Sequence, residues 1–285
     1  MNQYKEYDEF KYDIISENED GKVRQLYWNI AFGLQDVDSI KPSKYMLKLA
    51  KENVEGKLSY DELYNTIITY YHRKKDTKTN KEEQEADIVS ARIFEMLSSP
   101  TFRFDYNTLK MYHRFLFTDL DMSISHKYIG RSRDYNITKK EPILNGDTVM
   151  YADYRMIEET LKYDFDEEQN QDYTKMTKEQ IARRLATFTS RIWQVHAFGE
   201  GNTRTIAIFI QKYIMYLGFK KMNNELFKDN SKYFRNALVR ANYTNITKGI
   251  KETDEYLVRF FMNLLYKKEY KLDNSELYIY KKKED

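Results

Sequence analysis

The chain has 285 residues, of which 41% are hydrophobic, enough for one sizeable core or for one domain with a smaller attached unit. Charged residues make up 32%, but their signs almost cancel at a formal net charge of +2, so the overall charge gives no indication of nucleic-acid binding. The absence of cysteine excludes disulfides, thiolate metal sites and cysteine nucleophiles.

The composition also favours a helical protein outside the membrane. Nine Gly and three Pro are too few for a turn-rich all-β fold. The first residues are polar and lack an apolar signal core, and no stretch reaches the roughly 18 apolar residues of a membrane span. We therefore expect a soluble, cytoplasmic protein with neither a membrane nor a nucleic acid as a partner. The basic run at 281–283 is expected to be a solvated end.

The first 72 residues are predicted to form a small helical unit. Apolar residues from Val23 to Val37 recur at every third or fourth position, as on one face of a helix. Ser43 and Gly56 bound a second helix, because a hydroxyl residue typically starts a helix and a glycine typically ends one. A third helix follows Ser59-Tyr-Asp-Glu62, which has the spacing of a capping box.

The next segment is predicted to separate two domains. Residues 73–87 are almost wholly polar and are interpreted as a linker. Helical periodicity resumes at Val89 and again around Leu109. The larger domain is expected over residues 88–270, and residues 271–285 are expected to be a tail.

Between residues 131 and 152 the pattern changes from helical spacing to alternation. Pro142 and Asn145-Gly146 provide turn chemistry, and residues 148–151 fit a returning strand. This segment predicts a β-hairpin in an otherwise all-α fold.

Two long helices are predicted to flank a glycine-containing turn. Thr177-Lys-Glu-Gln180 is a second capping box, and apolar positions from Ile181 to Val195 give the strongest helical pattern in the chain. Helical spacing restarts at Ile206 and stops at Gly218, and two or three further helices are expected up to residue 265.

The turn itself, His196-Ala-Phe-Gly-Glu-Gly-Asn-Thr-Arg204, combines several chemical functions. The N-terminus of the following helix is a natural anion site, because unpaired N–H groups and the positive end of the helix dipole meet there. Asn202 and Arg204 can donate to phosphate oxygens, and Glu200 is a hard oxygen ligand suited to Mg²⁺. His196 titrates near neutral pH, which suits a general base. The alternative interpretation is a simple helix–loop–helix connection.

The turn resembles the active-site motif of the Fic/Doc family, His-x-Phe-x-Asp/Glu-Gly-Asn-Gly-Arg-x-x-Arg. The matching residues are His196, Phe198, Glu200, Gly201, Asn202 and Arg204. The sequence departs from the motif at Thr203, where the family has glycine, and at Ala207, where it has a second arginine. Residues 109–117 resemble the opening helix of the family, and residues 136–151 resemble its flap. The resemblance covers roughly residues 85 to 265.

The resemblance implies a Fic fold, which is a helical bundle with a β-hairpin flap over the active site. It also implies transfer of AMP from ATP to a Ser, Thr or Tyr hydroxyl of a target protein, with Mg²⁺ as cofactor and with self-modification as a further outcome. His196 would be the base, Glu200 would hold the metal ion and Phe198 would anchor the turn in the core. The residues implied in phosphate binding are Gly201, Asn202, Thr203 and Arg204, and those implied in docking the target are Asn136, Ile137, Thr138 and Lys140. Arg235 and Asn236 fit either the nucleotide pocket or a solvated face.

The first helices resemble the small antitoxin that represses some Fic toxins. Leu34, Asp38 and Ser39 stand where its inhibitory motif, Ser/Thr-x-x-x-Glu-Gly/Asn, has the hydroxyl residue, the glutamate and the glycine. In repressed family members that glutamate pairs with the second arginine of the active-site motif, whose position is Ala207 here. We therefore expect any restraint by the N-terminal unit to be steric or to act on Arg204. Docking without inhibition is the alternative.

Other functions stay open at this point. A Doc-like kinase would transfer the γ-phosphate, and Doc-type sites, like Thr203, have a residue larger than glycine in the motif. Transfer of another nucleotide such as UTP or GTP and hydrolytic removal of AMP are further possibilities. An alternative of another class is a catalytically inactive interaction module. The other histidines, His72, His113 and His126, share no metal-ligand spacing and are expected to be structural or exposed.

Overall fold

Ten α-helices run through the residues that the computed structural model describes, which are 19–74, 78–120, 126–219, 222–223 and 225–280. The basic run at 281–283 lies outside them. The helices are α1 (Glu19–Gly33), α2 (Lys44–Val54), α3 (Tyr60–Arg73), α4 (Lys78–Ser98), α5 (Tyr106–Phe117), α6 (Ile157–Gln169), α7 (Lys178–Val195), α8 (Asn202–Tyr216), α9 (Leu226–Ala241) and α10 (Glu255–Tyr266). A 3-10 helix, Leu34–Asp38, continues directly from α1. None of the described helices is both long and apolar enough to cross a membrane. The predicted helical fold is thus confirmed.

Three predicted helix starts are confirmed by side-chain capping. The hydroxyl of Ser43 accepts a hydrogen bond from the Met46 N–H at 3.0 Å at the start of α2. Both predicted capping boxes form, with Ser59 before α3 and Thr177 before α7. These side chains satisfy backbone N–H groups that have no partner within the helix, so local sequence defines the helix start.

The N-terminal helices share one hydrophobic core with the rest of the chain. Trp28 of α1 stacks on Phe94 of α4, with ring centroids 4.4 Å apart. At the end of α1, a Cβ added to Gly33 would lie 2.4 Å from the Cα of Lys228 on α9. Only glycine allows the two helix backbones to approach this closely. The 3-10 helix that follows is thereby held against α8 and α9.

The polar run predicted as a linker differs from the structure, because α4 begins at Lys78 and includes residues 78–87. Asp87 is fully buried and accepts hydrogen bonds from the backbone N–H and hydroxyl of Ser43 (2.7 and 2.6 Å) and from the hydroxyl of Tyr71 (2.6 Å). Buried polar groups need such partners. Some polar side chains of this segment are thus polar because they form hydrogen bonds to other helices. Composition alone does not distinguish such residues from polar residues that are exposed to solvent.

The segment predicted as a β-hairpin doubles back without forming strands. We call residues 133–152 the flap loop. It turns through a 3-10 helix, Pro142–Leu144, and Asn145 has φ +56°. The Glu141 N–H donates to the Asp147 carbonyl at 2.9 Å, but the next inward-facing donor, the Lys139 N–H, bonds to the hydroxyl of Thr148. The hydroxyl of Thr148 takes the place of the backbone carbonyl that a β-ladder needs. The prediction of paired β-strands in this segment was therefore wrong.

Candidate active site

His196 ends α7 in a left-handed backbone conformation, with φ +48° and ψ +55°. Its backbone is held by Arg133, which is 2% exposed and lies at the start of the flap loop. The guanidinium donates to the carbonyls of His196 (2.8 Å), Ala152 (2.6 Å) and Val195 (3.2 Å). It therefore satisfies carbonyls that the end of a helix leaves without partners. Sequence reasoning missed Arg133, since nothing in its local pattern distinguishes it from a surface arginine.

The ring of His196 is buried and neutral. It lies 4.3 Å from the ring of Tyr151 and 5.3 Å from that of Trp193, measured between centroids. Burial, together with the nearby charge of Lys139, lowers the pKa of His196 to about 3. The Nδ1 atom lies 3.3 Å from the carbonyl of Trp193, which favours the tautomer with the proton on Nδ1. Nε2 is then the atom that can accept a proton.

The side chains of Asn202 and Thr203 form hydrogen bonds within the protein that stabilise the turn. Asn202 accepts from the Phe198 N–H at 3.0 Å and donates to the Phe198 carbonyl at 2.7 Å. The hydroxyl of Thr203 accepts from the indole N–H of Trp193 at 3.0 Å and so points into the protein. In this conformation, the groups of these two residues that face the anion site are backbone N–H groups at the start of α8.

His113, which was expected to be structural or exposed, is a fully buried structural residue of the turn. Its ring stacks on Phe198 at 3.9 Å between centroids. The ring nitrogens bridge two backbones, because Nδ1 accepts from the Gly130 N–H at 2.9 Å and Nε2 lies 3.1 Å from the Glu200 carbonyl. Burial lowers the pKa of His113 to about 4, so it bridges them as a neutral ring. It thereby fixes the backbone that carries Glu200.

Substitution of Gly201 with alanine is expected to destabilise the turn. Gly201 has φ +71°, and an added Cβ would lie 2.4 Å from the ring of Phe117. The left-handed conformation costs an alanine roughly 1–2 kcal/mol, and overpacking adds about 1–3 kcal/mol. Chemical denaturation of Gly201→Ala should show both losses. Gly249→Ala is the matched control, since Gly249 has φ +65° but open space around it. Equal losses for the two variants would contradict the predicted clash with Phe117.

Arg204 is 2% exposed and is held by two segments far away in the sequence. Its Nη1 donates to Gln35 at 3.0 Å and its Nη2 to Glu85 at 2.6 Å, while Nε lies 2.7 Å from a carboxylate oxygen of Asp38. The guanidinium also lies 4.9 Å above the ring of Phe117. Burial alone would lower the pKa of Arg204, but Asp38 and Glu85 outweigh it and raise the pKa. The N-terminal unit therefore contacts Arg204 through Gln35 and Asp38.

A cleft of about 700 Å³ opens beside the turn. Its polar lining includes Asp38, Glu82, Glu85, Lys139, Lys140, Glu200, Arg204, Lys232, Arg235 and Asn236, and its apolar lining includes Val37, Ile40, Pro142, Ile143 and Tyr278. Arg235 and Asn236 thus line this cleft and not a solvated face. Mixed polar and apolar lining of this size is typical of a site for a small ligand.

The predicted flap residues lie at different places around this cleft. Lys140 lines it and is exposed. Asn136 lies at the base of the flap loop, where it accepts from the Tyr154 N–H at 3.0 Å. Thr138 is exposed and Ile137 is half-buried. Lys139, which sequence reasoning passed over, lines the cleft beside Glu200.

The donor set fits a magnesium ion that is shared with phosphates. Within the described residues, no group of three or more histidines and carboxylates forms a metal cage of its own. Mg²⁺ in nucleotide sites usually takes one or two carboxylates together with phosphate oxygens and waters. Glu200 is a half-buried carboxylate facing the cleft, and burial raises its pKa while Lys139 opposes that shift. Its carboxylate would therefore gain from a bound cation.

The comparisons with known proteins agree with the fold. Residues 103–214, which run from α5 into α8 and include the turn, match the model of the Fic/DOC family. This part of the chain is therefore similar to a Fic/DOC family domain. The chain also resembles the crystal structure of the N-terminal FIC domain of Bep8 protein, a VirB-translocated Bartonella effector protein from Bartonella sp. 1-1C. The two are 16% identical with a TM-score of 0.50, over 68% of this chain and 88% of that one. No curated protein matches the chain.

Proposed function

We propose that this chain transfers AMP from ATP to a hydroxyl group of a target protein. The observation that carries the proposal is the short turn that joins the neutral ring of His196, at the end of α7, to the N-terminus of α8, which is suited to phosphate. Members of the Fic family commonly transfer nucleoside monophosphates to proteins. A silent interaction module would need neither a base nor an acidic residue beside such an anion site.

The reaction assigns one task to each residue of the turn. Nε2 of His196 takes the proton of the target hydroxyl while its oxygen attacks the α-phosphorus of ATP. The bond to the β-phosphate breaks, and pyrophosphate leaves. Backbone N–H groups at residues 201–204 hold the developing negative charge. Glu200 would hold Mg²⁺, which supplies charge neutralisation on the phosphates.

The side chain of Thr203 gives no support to the kinase alternative. That alternative was raised because Thr203 is larger than the glycine of the motif. Its hydroxyl is bonded to Trp193, on the side away from the cleft. The extra bulk is thus accommodated inside the protein and does not fill the space for the phosphates.

The transferred group is identified by labelling. The purified chain is incubated with Mg²⁺ and ATP carrying label on either the α- or the γ-phosphate, and protein-bound label is measured together with intact mass. Label from the α-phosphate and a mass gain of one AMP residue are expected. Label from the γ-phosphate with a gain of one phosphate group would identify a kinase instead. Absence of label from both, on the chain and on proteins of a bacterial lysate, would favour an inactive module.

Glu200→Ala is expected to weaken the binding of ATP only when Mg²⁺ is present. The variant removes a carboxylate that faces the cleft, so the metal-bound nucleotide loses an anchor. Loss of even a supporting residue at a metal site typically costs at least about tenfold in affinity. Calorimetry with and without Mg²⁺ measures the difference.

Glu82→Ala provides the matched control, because Glu82 is another acid lining the same cleft. It should leave the Mg²⁺ dependence unchanged. If Glu200→Ala and the wild type show the same Mg²⁺-dependent gain in affinity, Glu200 does not hold the metal.

A further inference from the structure

The lining of the cleft carries charges of both signs. Arg204 is paired with the carboxylates of Asp38 and Glu85, and Glu200 lines the cleft with them. The basic side chains in the lining are Lys81, Lys139, Lys140, Lys232 and Arg235. A phosphate chain in this cleft is repelled by the carboxylates and attracted by the basic side chains.

The motif arginine cannot provide the net positive charge by itself in this conformation. Arg204 contributes one positive charge, whereas Asp38 and Glu85 contribute two negative charges at 2.7 and 2.6 Å from it. The position of the motif's second arginine is Ala207, which is buried in the core at 1% exposure. A side-chain cation that assists Mg²⁺ and the helix N-terminus in holding the phosphates would therefore come from elsewhere in the chain.

Lys139 is the basic residue best placed for this task. Arg235 is already paired with the buried carboxylate of Glu141 at 2.8 Å, and Lys140 and Lys232 are exposed. Lys81 lies on α4 with the acidic Glu82 and Glu85. Lys139 is half-buried, and its backbone is fixed by the 3.1 Å hydrogen bond to Thr148.

The position of Lys139 is indicated by the lining of the cleft, which it shares with Glu200 and Arg204. In agreement, its charge opposes the rise in the pKa of Glu200 that burial causes. A phosphate chain held by Glu200 through a metal ion would therefore pass close to Lys139.

We propose that Lys139 binds the phosphate chain of the nucleotide and supplies the positive charge that Ala207 cannot. This rests on the proposed function in placing a nucleotide in the cleft. The ammonium would contact phosphate oxygens as a point charge, a role that lysine performs in other phosphate sites.

The test compares Lys139→Gln, Lys139→Arg and Lys140→Gln by calorimetry with ATP and with AMP. Loss of one charge contact to the phosphates should lower ATP affinity about tenfold, equivalent to about 1.4 kcal/mol. AMP, with one phosphate, should be affected much less. Lys139→Arg should retain most of the ATP affinity, and Lys140→Gln, which removes the same charge from an exposed residue of the same cleft, should lose clearly less affinity than Lys139→Gln.

Binding is measured independently of transfer, so the two proposals fail in different ways. Wild-type binding of ATP without any AMP transfer would overturn the proposed reaction. The assignment of Lys139 would then still be decided by the ATP affinities of its variants. Equal ATP affinities for Lys139→Gln and Lys140→Gln would overturn the assignment, as would equal losses for ATP and AMP. An absence of ATP binding to the wild type would overturn both.

Discussion

His196→Ala should lower the rate of AMP transfer by about 10²- to 10⁴-fold, the usual contribution of a general base. The ring is neutral at physiological pH, because burial and Lys139 depress its pKa to about 3. Its loss therefore removes a proton acceptor and leaves the charge of the site unchanged. The ATP affinity of the variant should stay near that of the wild type, since the phosphates are bound by other groups. Transfer is measured with ATP labelled on the α-phosphate, and affinity by calorimetry.

The matched control is His72→Ala, which makes the same change on the exposed side of α3. It should have no effect on transfer. A His196→Ala variant that transfers AMP at the wild-type rate would exclude His196 as the base. A variant that loses ATP binding as well would indicate that the ring supports the turn, and unfolding measurements would then show the lost stability.

Replacing both acids that hold Arg204 should have the second large effect. Asp38→Asn combined with Glu85→Gln leaves a guanidinium of 2% exposure without an opposite charge. Loss of the partner of a buried charge typically costs about 3–5 kcal/mol of folding stability. We expect each single variant to lose much less, because one carboxylate then remains paired with the arginine.

The same double variant tests whether the N-terminal unit restrains the site. Asp38 is the last residue of the 3-10 helix, and Ser39 after it has φ +59°, a conformation that favours glycine. We propose that release of Arg204 lets it bind phosphate. Transfer should then rise by about 5- to 150-fold, the range of typical coupling energies. Saturating ATP should also restore much of the lost stability.

Asp36→Asn with an unchanged Glu85 is the control, since Asp36 lies on the same 3-10 helix and interacts instead with Lys41 and Lys232. It should leave transfer unchanged. Activation by Asp38→Asn alone to the level of the double variant would assign the restraint to Asp38 by itself. A double variant that is destabilised but neither activated nor rescued by ATP would show that the contact is structural only. Deletion of the whole N-terminal unit is less informative, because it would remove Trp28 from the shared core.

The helices and the reactive turn could be predicted from the sequence because both depend on neighbouring residues. A capping box is complete within four residues, so the starts of α3 and α7 follow from local chemistry. The turn from His196 to Arg204 likewise contains a histidine, an acidic residue and a helix start within one short stretch of sequence. Local patterns failed where a polar side chain has a distant partner, as for Asp87 and Thr148.

Only the tertiary structure decided how the site is charged and which residues contact Arg204. The partners Glu85 and Gln35 are 119 and 169 residues away from Arg204, and Arg133 is 63 residues from His196. The choice between Lys139 and Lys140 also depends on the fold, since both line the cleft but only Lys139 is half-buried. The electrostatic energy of a charge depends on its distance from other charges and on its burial. Neither quantity can be obtained from the order of the residues alone.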